Sequence, residues 1–134
     1  MIKNKKVQIA TCALFIQMAE ADGRFDDAEF DMIIQIMTDL FKLNSKDIHA
    51  IIKQSKHEVK ESISISEFSS LIRDTFSDDE KFELMLNLWR LIYVDKKLDM
   101  YEDNLIKRIA ASIGISHREL IGTKMLIREE MKID

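Results

Sequence analysis

Ala21-Asp22-Gly23-Arg24-Phe25-Asp26-Asp27-Ala28-Glu29 and, 73 positions further on, Val94-Asp95-Lys96-Lys97-Leu98-Asp99-Met100-Tyr101-Glu102 are two versions of one segment. Asp22, Asp26 and Glu29 recur as Asp95, Asp99 and Glu102, and Phe25 is matched by the apolar Leu98. Downstream, Ile33 falls on Ile106 and Ile36 on Ile109. In each copy an aspartate followed three residues later by glutamate precedes a run with apolar residues at helical spacing. That is the pattern of a capping box, in which the aspartate accepts from a first-turn amide and the glutamate reaches back to the amide of the cap. Each copy therefore reads as helix, acidic turn, helix, and the two hairpins form a pseudo-symmetric pair.

The same start signal recurs at Ser64/Glu67, Ser77/Glu80 and Ser116/Glu119. Hydrophobic staples accompany three of the five starts: Phe25 with Phe30, Ile63 with Phe68, and Ile115 with Leu120. Apolar spacing near the helical period runs through most of the chain, and sustained alternation is absent. The spacing predicts helices over Lys5–Ala21, Asp27–Phe41, Lys46–Lys60, Ile65–Phe76, Asp78–Val94, Met100–Ile113 and His117–Met131. Gly114 stands just past the sixth, where a left-handed C-cap favours glycine. Leu84, Leu88, Trp89, Leu91 and Ile92 give the fifth an apolar arc broader than a surface helix needs, which places it in the middle of the core. The expectation is an all-α, compact bundle of about seven helices in a single domain over residues 1–134, with short connections between antiparallel or steeply angled neighbours.

Composition narrows the classes of function. With 46% hydrophobic and 33% charged residues the chain has globular composition, and 134 residues suffice for one core. A net charge of −4 argues against a general nucleic-acid binder, which needs clustered Lys and Arg. A lone cysteine, Cys12, cannot form an internal disulfide and favours a reducing compartment. The apolar stretch Ile9–Ile16 is bracketed by Gln8 and Gln17 and is far shorter than the roughly 20 residues of a transmembrane span. It reads as a buried first helix in a cytoplasmic protein.

The acidic spacing invites comparison with the EF-hand calcium loop, whose ligands fall at positions 1, 3, 5 and 12 with glycine at 6. With Asp22 at position 5, Gly23 and Glu29 fall at 6 and 12, but position 1 becomes Met18, and Leu91 in the second copy. Neither side chain offers oxygen to a hard cation, so a true EF-hand is excluded.

The Ala-Asp-Gly-Arg-Phe-Asp-Asp-Ala-Glu turn resembles the signature of the TerB-like (tellurite-resistance TerB) family. So do Leu88-Trp89-Arg90-Leu91-Ile92-Tyr93-Val94-Asp95 leading into Leu98-Asp99-Met100-Tyr101-Glu102, and the closing Gly114-Ile115-Ser116-His117. The resemblance runs from about Ala10 to Lys124. It implies a compact all-α fold in which Asp22, Asp26, Glu29, Asp95, Asp99 and Glu102 are candidate ligands for a divalent cation, Ca²⁺ or Mg²⁺. It also implies links to tellurite and other stress resistance, to phage defence, and to complexes at the cytoplasmic face of the membrane. The family usually carries glycine after the second-turn aspartate. Here Lys96 and Lys97 stand there, and two ammonium groups beside Asp95 offset negative potential that a cation would need.

Each candidate also has a plainer reading. Asp26/Glu29 and Asp99/Glu102 serve as capping boxes, worth about 1 kcal/mol at each cap. Asp22 and Asp95 precede the caps by four residues and either support the turn through Asx-type bonds or act as oxygen ligands. Cys12 lies among Ala10, Leu14 and Phe15 as a small core residue, and Met18, Met32, Met37 and Met85 follow core spacing. His49, His57 and His117 have no cysteine or second histidine at ligand spacing. No nucleophile–base set or glycine-rich phosphate loop stands out, so a non-enzymatic role is expected. Two functions remain: a stress-response module binding a divalent cation weakly, or a metal-free domain whose acidic surface meets a protein partner or a membrane-associated complex.

Overall fold

The computed structural model describes residues 3–21, 23, 25–61 and 64–133. Seven α-helices follow one another: α1 (Lys5–Glu20), α2 (Asp27–Phe41), α3 (Ser45–Lys60), α4 (Ile65–Thr75), α5 (Asp78–Ile92), α6 (Met100–Ile113) and α7 (His117–Glu130). A 3-10 turn, Tyr93–Asp95, continues α5 toward the second acidic segment. Among the described residues there is no strand.

The starts are set by side chains. Full reciprocal capping boxes form at Asp26/Glu29, Ser77/Glu80, Asp99/Glu102 and Ser116/Glu119. At Ser64 the hydroxyl accepts from the Glu67 amide at 3.2 Å. Asn4 and Asn44 cap α1 and α3 by accepting from the Val7 and Asp47 amides, both at 2.9 Å. Phe25 and Phe30 meet as a tilted ring pair at 6.1 Å, and Ile115 and Leu120 are both buried. The staple expected of Ile63 falls outside the described residues. Gly114 closes α6 in the left-handed conformation, φ 86°.

Helices α1 and α5 share the centre of the bundle, α5 as its apolar arc predicts. Helix α1 packs against α2, α3, α4, α5 and α6. Its small buried residues Ala10, Cys12, Ala13 and Ala19 let those neighbours approach from several sides, while Leu14, Phe15, Ile16 and Met18 fill the space between them. Helix α5 buries Leu84, Met85, Leu88, Trp89, Leu91 and Ile92 and joins α1 to the outer helix α7. Its first turn, Asp78-Asp79-Glu80, stays near the surface.

On α7, Thr123 accepts the buried Trp89 indole N–H at 3.0 Å, and Trp89 stacks with Tyr93 at 5.9 Å. At the end of α7, Glu130 receives both Nε and Nη2 of Arg90, at 2.8 and 2.9 Å.

Candidate functional site

The two acidic turns are built alike where both are described. Asp26 has φ −90°, ψ 173° and Asp99 φ −93°, ψ 172°. Their Oδ1 atoms accept from the Glu29 and Glu102 amides at 2.9 and 2.8 Å. In return, Glu29 and Glu102 Oε1 accept from the Asp26 and Asp99 amides at 3.4 and 3.1 Å. Both glutamates are buried, and so are the matched isoleucines Ile33, Ile36, Ile106 and Ile109 below them. The match extends to the backbone before the cap. Gly23 donates to the Glu20 carbonyl and Lys96 to the Tyr93 carbonyl, each at 2.9 Å, and both residues hold positive φ, 81° and 64°.

Of the six acids read as candidate ligands, Asp26, Glu29, Asp95, Asp99 and Glu102 are described, and Asp22 lies outside the described residues. Asp95 is exposed, and its Oδ1 accepts from the Lys97 amide at 3.1 Å, an Asx-type bond that supports the turn. Lys96 and Lys97 are exposed beside it. Among the described residues, no three His, Cys, Asp or Glu side chains are grouped so as to hold a metal ion. Met18 and Leu91, at the first EF-hand position of each copy, are core residues.

Beside the first turn, a shallow depression of about 770 Å³ is lined by Glu20, Phe25, Asp26, Asp27, Phe30 and Lys56, among others. The Lys56 ammonium stands over both rings of the staple, 5.5 Å from Phe25 and 5.0 Å from Phe30. A second depression of about 620 Å³ opens between α2, α5 and the end of α7, with Ile36, Asp39, Glu83, Asn87 and Arg90 on its walls. The Arg90 guanidinium there is engaged by Glu130, by Asn87 at 2.8 Å and by Glu83 at 3.8 Å. That bidentate bond to Glu130 raises its already high pKa.

The remaining reactive side chains are placed apart from one another. Cys12 is fully buried, and burial pushes its thiol up to about 12, with a partial offset from the Ser55 hydroxyl and Lys56. At neutral pH it is a protonated core thiol without nucleophilic character. His49, His57 and His117 are all exposed, the first two on α3 and the third at the start of α7. The α7 surface, where Ile121, Met125 and Leu126 are exposed, is not among the sites expected from sequence. Their spacing from buried Leu120, Thr123 and Ile127 was the available signal.

The model of the family described as tellurite resistance protein TerB matches residues 8–125. The chain belongs to the TerB family. No curated protein matches it in sequence. Among solved structures it is similar to a protein of unknown function from Porphyromonas gingivalis W83, with a TM-score of 0.70 at 19% identity, covering 96% of this chain and 98% of that one. That likeness concerns the fold, an all-α bundle shared along nearly the whole length of both chains. Among the described residues no helix is long and apolar enough to cross a membrane.

Proposed function

We propose that the protein is a non-enzymatic stress-response module of the TerB type that works by binding. Its acidic turns act as rigid hairpin corners and present carboxylates to a basic partner, including one within a membrane-associated complex. The observation that carries this reading is the use already made of the acids. Asp26, Asp95 and Asp99 each accept a backbone amide, and Glu29 and Glu102 close their capping boxes from buried positions. Lys96 and Lys97 further weaken the local field for a cation at the second turn, so the carboxylates suited to steering a cationic surface are the exposed Asp26 and Asp27 of the first. The buried, protonated Cys12 and the exposed, separate histidines support binding rather than catalysis.

A weak Ca²⁺ or Mg²⁺ site at the turns is the second reading. It is favoured by the near-identity of the two turns in backbone and in acids, since hard cations select carboxylate oxygen. One titration separates the two. Amide spectra and melting temperature are followed as Ca²⁺ or Mg²⁺ is raised into the millimolar range. The first reading expects the amides around Asp22 and Asp95 and the melting temperature to stay where they are. A saturable shift at both turns, abolished by Asp22→Asn with Asp95→Asn, would replace it with the second.

A further inference from the structure

The outer face of α7 is apolar at its middle and charged at its ends. Ile121, Met125 and Leu126 are 39%, 57% and 50% exposed, and Gly122 lies open among them. A Cβ built on Gly122 would meet nothing within 4 Å, so packing within the chain gives no reason for glycine there. Glycine weakens a helix interior relative to alanine, and its usual compensation is close approach by another backbone or side chain. Arg118 and Glu129, both exposed, close the face at its two ends and make no ion pair within the chain among the described residues.

We propose that this face of α7 is a dimer interface that docks the same helix of a second copy in antiparallel orientation. The register follows from the residues. Arg118, Gly122, Met125 and Glu129 succeed one another at steps of four, three and four, which is the seam of a helix pair. Arg118 and Glu129 lie equally far on either side of a point between Thr123 and Lys124, and so do Gly122 and Met125. Turned about a two-fold axis through that point, each Met125 seats on the other copy's Gly122, and each Arg118 meets the other copy's Glu129. Ile121 then faces its own copy along one side of the seam, and Leu126 does so along the other. The surface is self-complementary, as a closed two-fold interface requires.

Charge placement favours a second copy over an unrelated helix. Arg118 is in the first turn of α7 and Glu129 in the last, each at the end where its own helix dipole is unfavourable. In the antiparallel pair each comes beside the complementary end of the other helix. The contact is one helix pair, so association is weak and concentration-dependent. It is independent of whether the acidic turns take a cation.

Sedimentation of the full chain from micromolar to millimolar concentration tests the proposal, with helical circular dichroism as the check on folding. The mass is expected to rise toward that of a dimer, and Met125→Lys to hold it at the monomer with the helical signal unchanged. Arg118→Glu alone and Glu129→Arg alone should each weaken association roughly tenfold, and the two together should restore it. Register is read by disulfide trapping, because Cys12 is fully buried. Arg118→Cys mixed with Glu129→Cys should crosslink. Neither variant should do so alone, as equivalent positions lie about 16 Å apart along the pair. A wild type that stays monomeric at millimolar concentration overturns the proposal. So do a dimer that survives Met125→Lys, charge reversals without effect, or self-crosslinking of Arg118→Cys.

Discussion

The first hairpin and the second share a backbone plan but carry different side chains on it. Before the cap, the first has Gly23 where the second has Lys96, both at positive φ. Across it, the first has the ring pair of Phe25 and Phe30 under Lys56, whereas the second has Leu98 and Asp103, the latter bonded to Lys107 at 2.7 Å. Inside the preceding helix, Cys12 of the first lies over Met85 of the second, both fully buried. What the two halves keep in common is the cap, its buried glutamate and the isoleucines beneath. A duplicated plan therefore tolerates change at the hinge and the staple more readily than at the helix start. The geometry there is specified by hydrogen bonds rather than by bulk.

The largest difference between the halves should appear in alkali. The Cys12 thiol is held protonated in the folded state up to about 12, against 9.0 in the unfolded chain. Between those values the unfolded state releases a proton that the folded state retains, so stability falls as pH rises. The slope is about 1.4 kcal/mol per pH unit, and Met85 at the matched position has none. Urea unfolding of wild type and Cys12→Ala in reductant from pH 8 to pH 11 measures it as the pH-dependent part of their difference. If the two curves stay parallel above pH 9, the thiol does not have the buried environment described.

Helix starts were the most legible part of the sequence, since a cap and a glutamate three residues on are local signals that tertiary context seldom overrides. Asp26 with Glu29 and Asp99 with Glu102 are read directly from their spacing. Asn4 and Asn44 escape the same search because Val7 and Asp47, not glutamate, stand at the third position. The end of α5 was less legible. Its apolar run continues to Val94, but the chain tightens at Tyr93–Asp95, where the turn packs against α2. The central place of α1 depends on Ala10, Cys12, Ala13 and Ala19, whose small size is informative only once five neighbours are seen to close on them. For the acidic turns, spacing shows the capping role of four acids but leaves Asp95 open between turn support and a ligand role, and only the structure shows its bond from the Lys97 amide.

If the shared cap holds each hairpin together, Asp26→Ala and Asp99→Ala should cost nearly the same, about 1 kcal/mol each. Each loses the bond from its glutamate's amide, at 2.9 and 2.8 Å, while the return bond from the cap's own backbone amide to the buried glutamate is kept. Chemical denaturation of the two variants gives both values in one experiment. Costs differing by more than a factor of two would mean that the hairpins are equivalent in outline only.

The hinge should separate the halves by the smallest margin and with opposite signs. A left-handed residue with a Cβ costs roughly 1 kcal/mol relative to glycine, and Lys96 at φ 64° bears that cost while Gly23 at φ 81° does not. Lys96→Gly should therefore raise stability, by somewhat less than that because glycine also loosens the unfolded chain. Gly23→Lys should lower it by a similar net amount, since the same strain is partly offset by a stiffer unfolded chain in a turn with the same hydrogen bond. The double exchange should end close to the wild type. Replacing Lys96 also removes one ammonium from beside Asp95, so the stabilised variant should be carried through the same Ca²⁺ titration. Gain of a saturable shift by Lys96→Gly alone would show that the lysine, rather than the capping of Asp99 and Glu102, is what keeps a cation from the second turn.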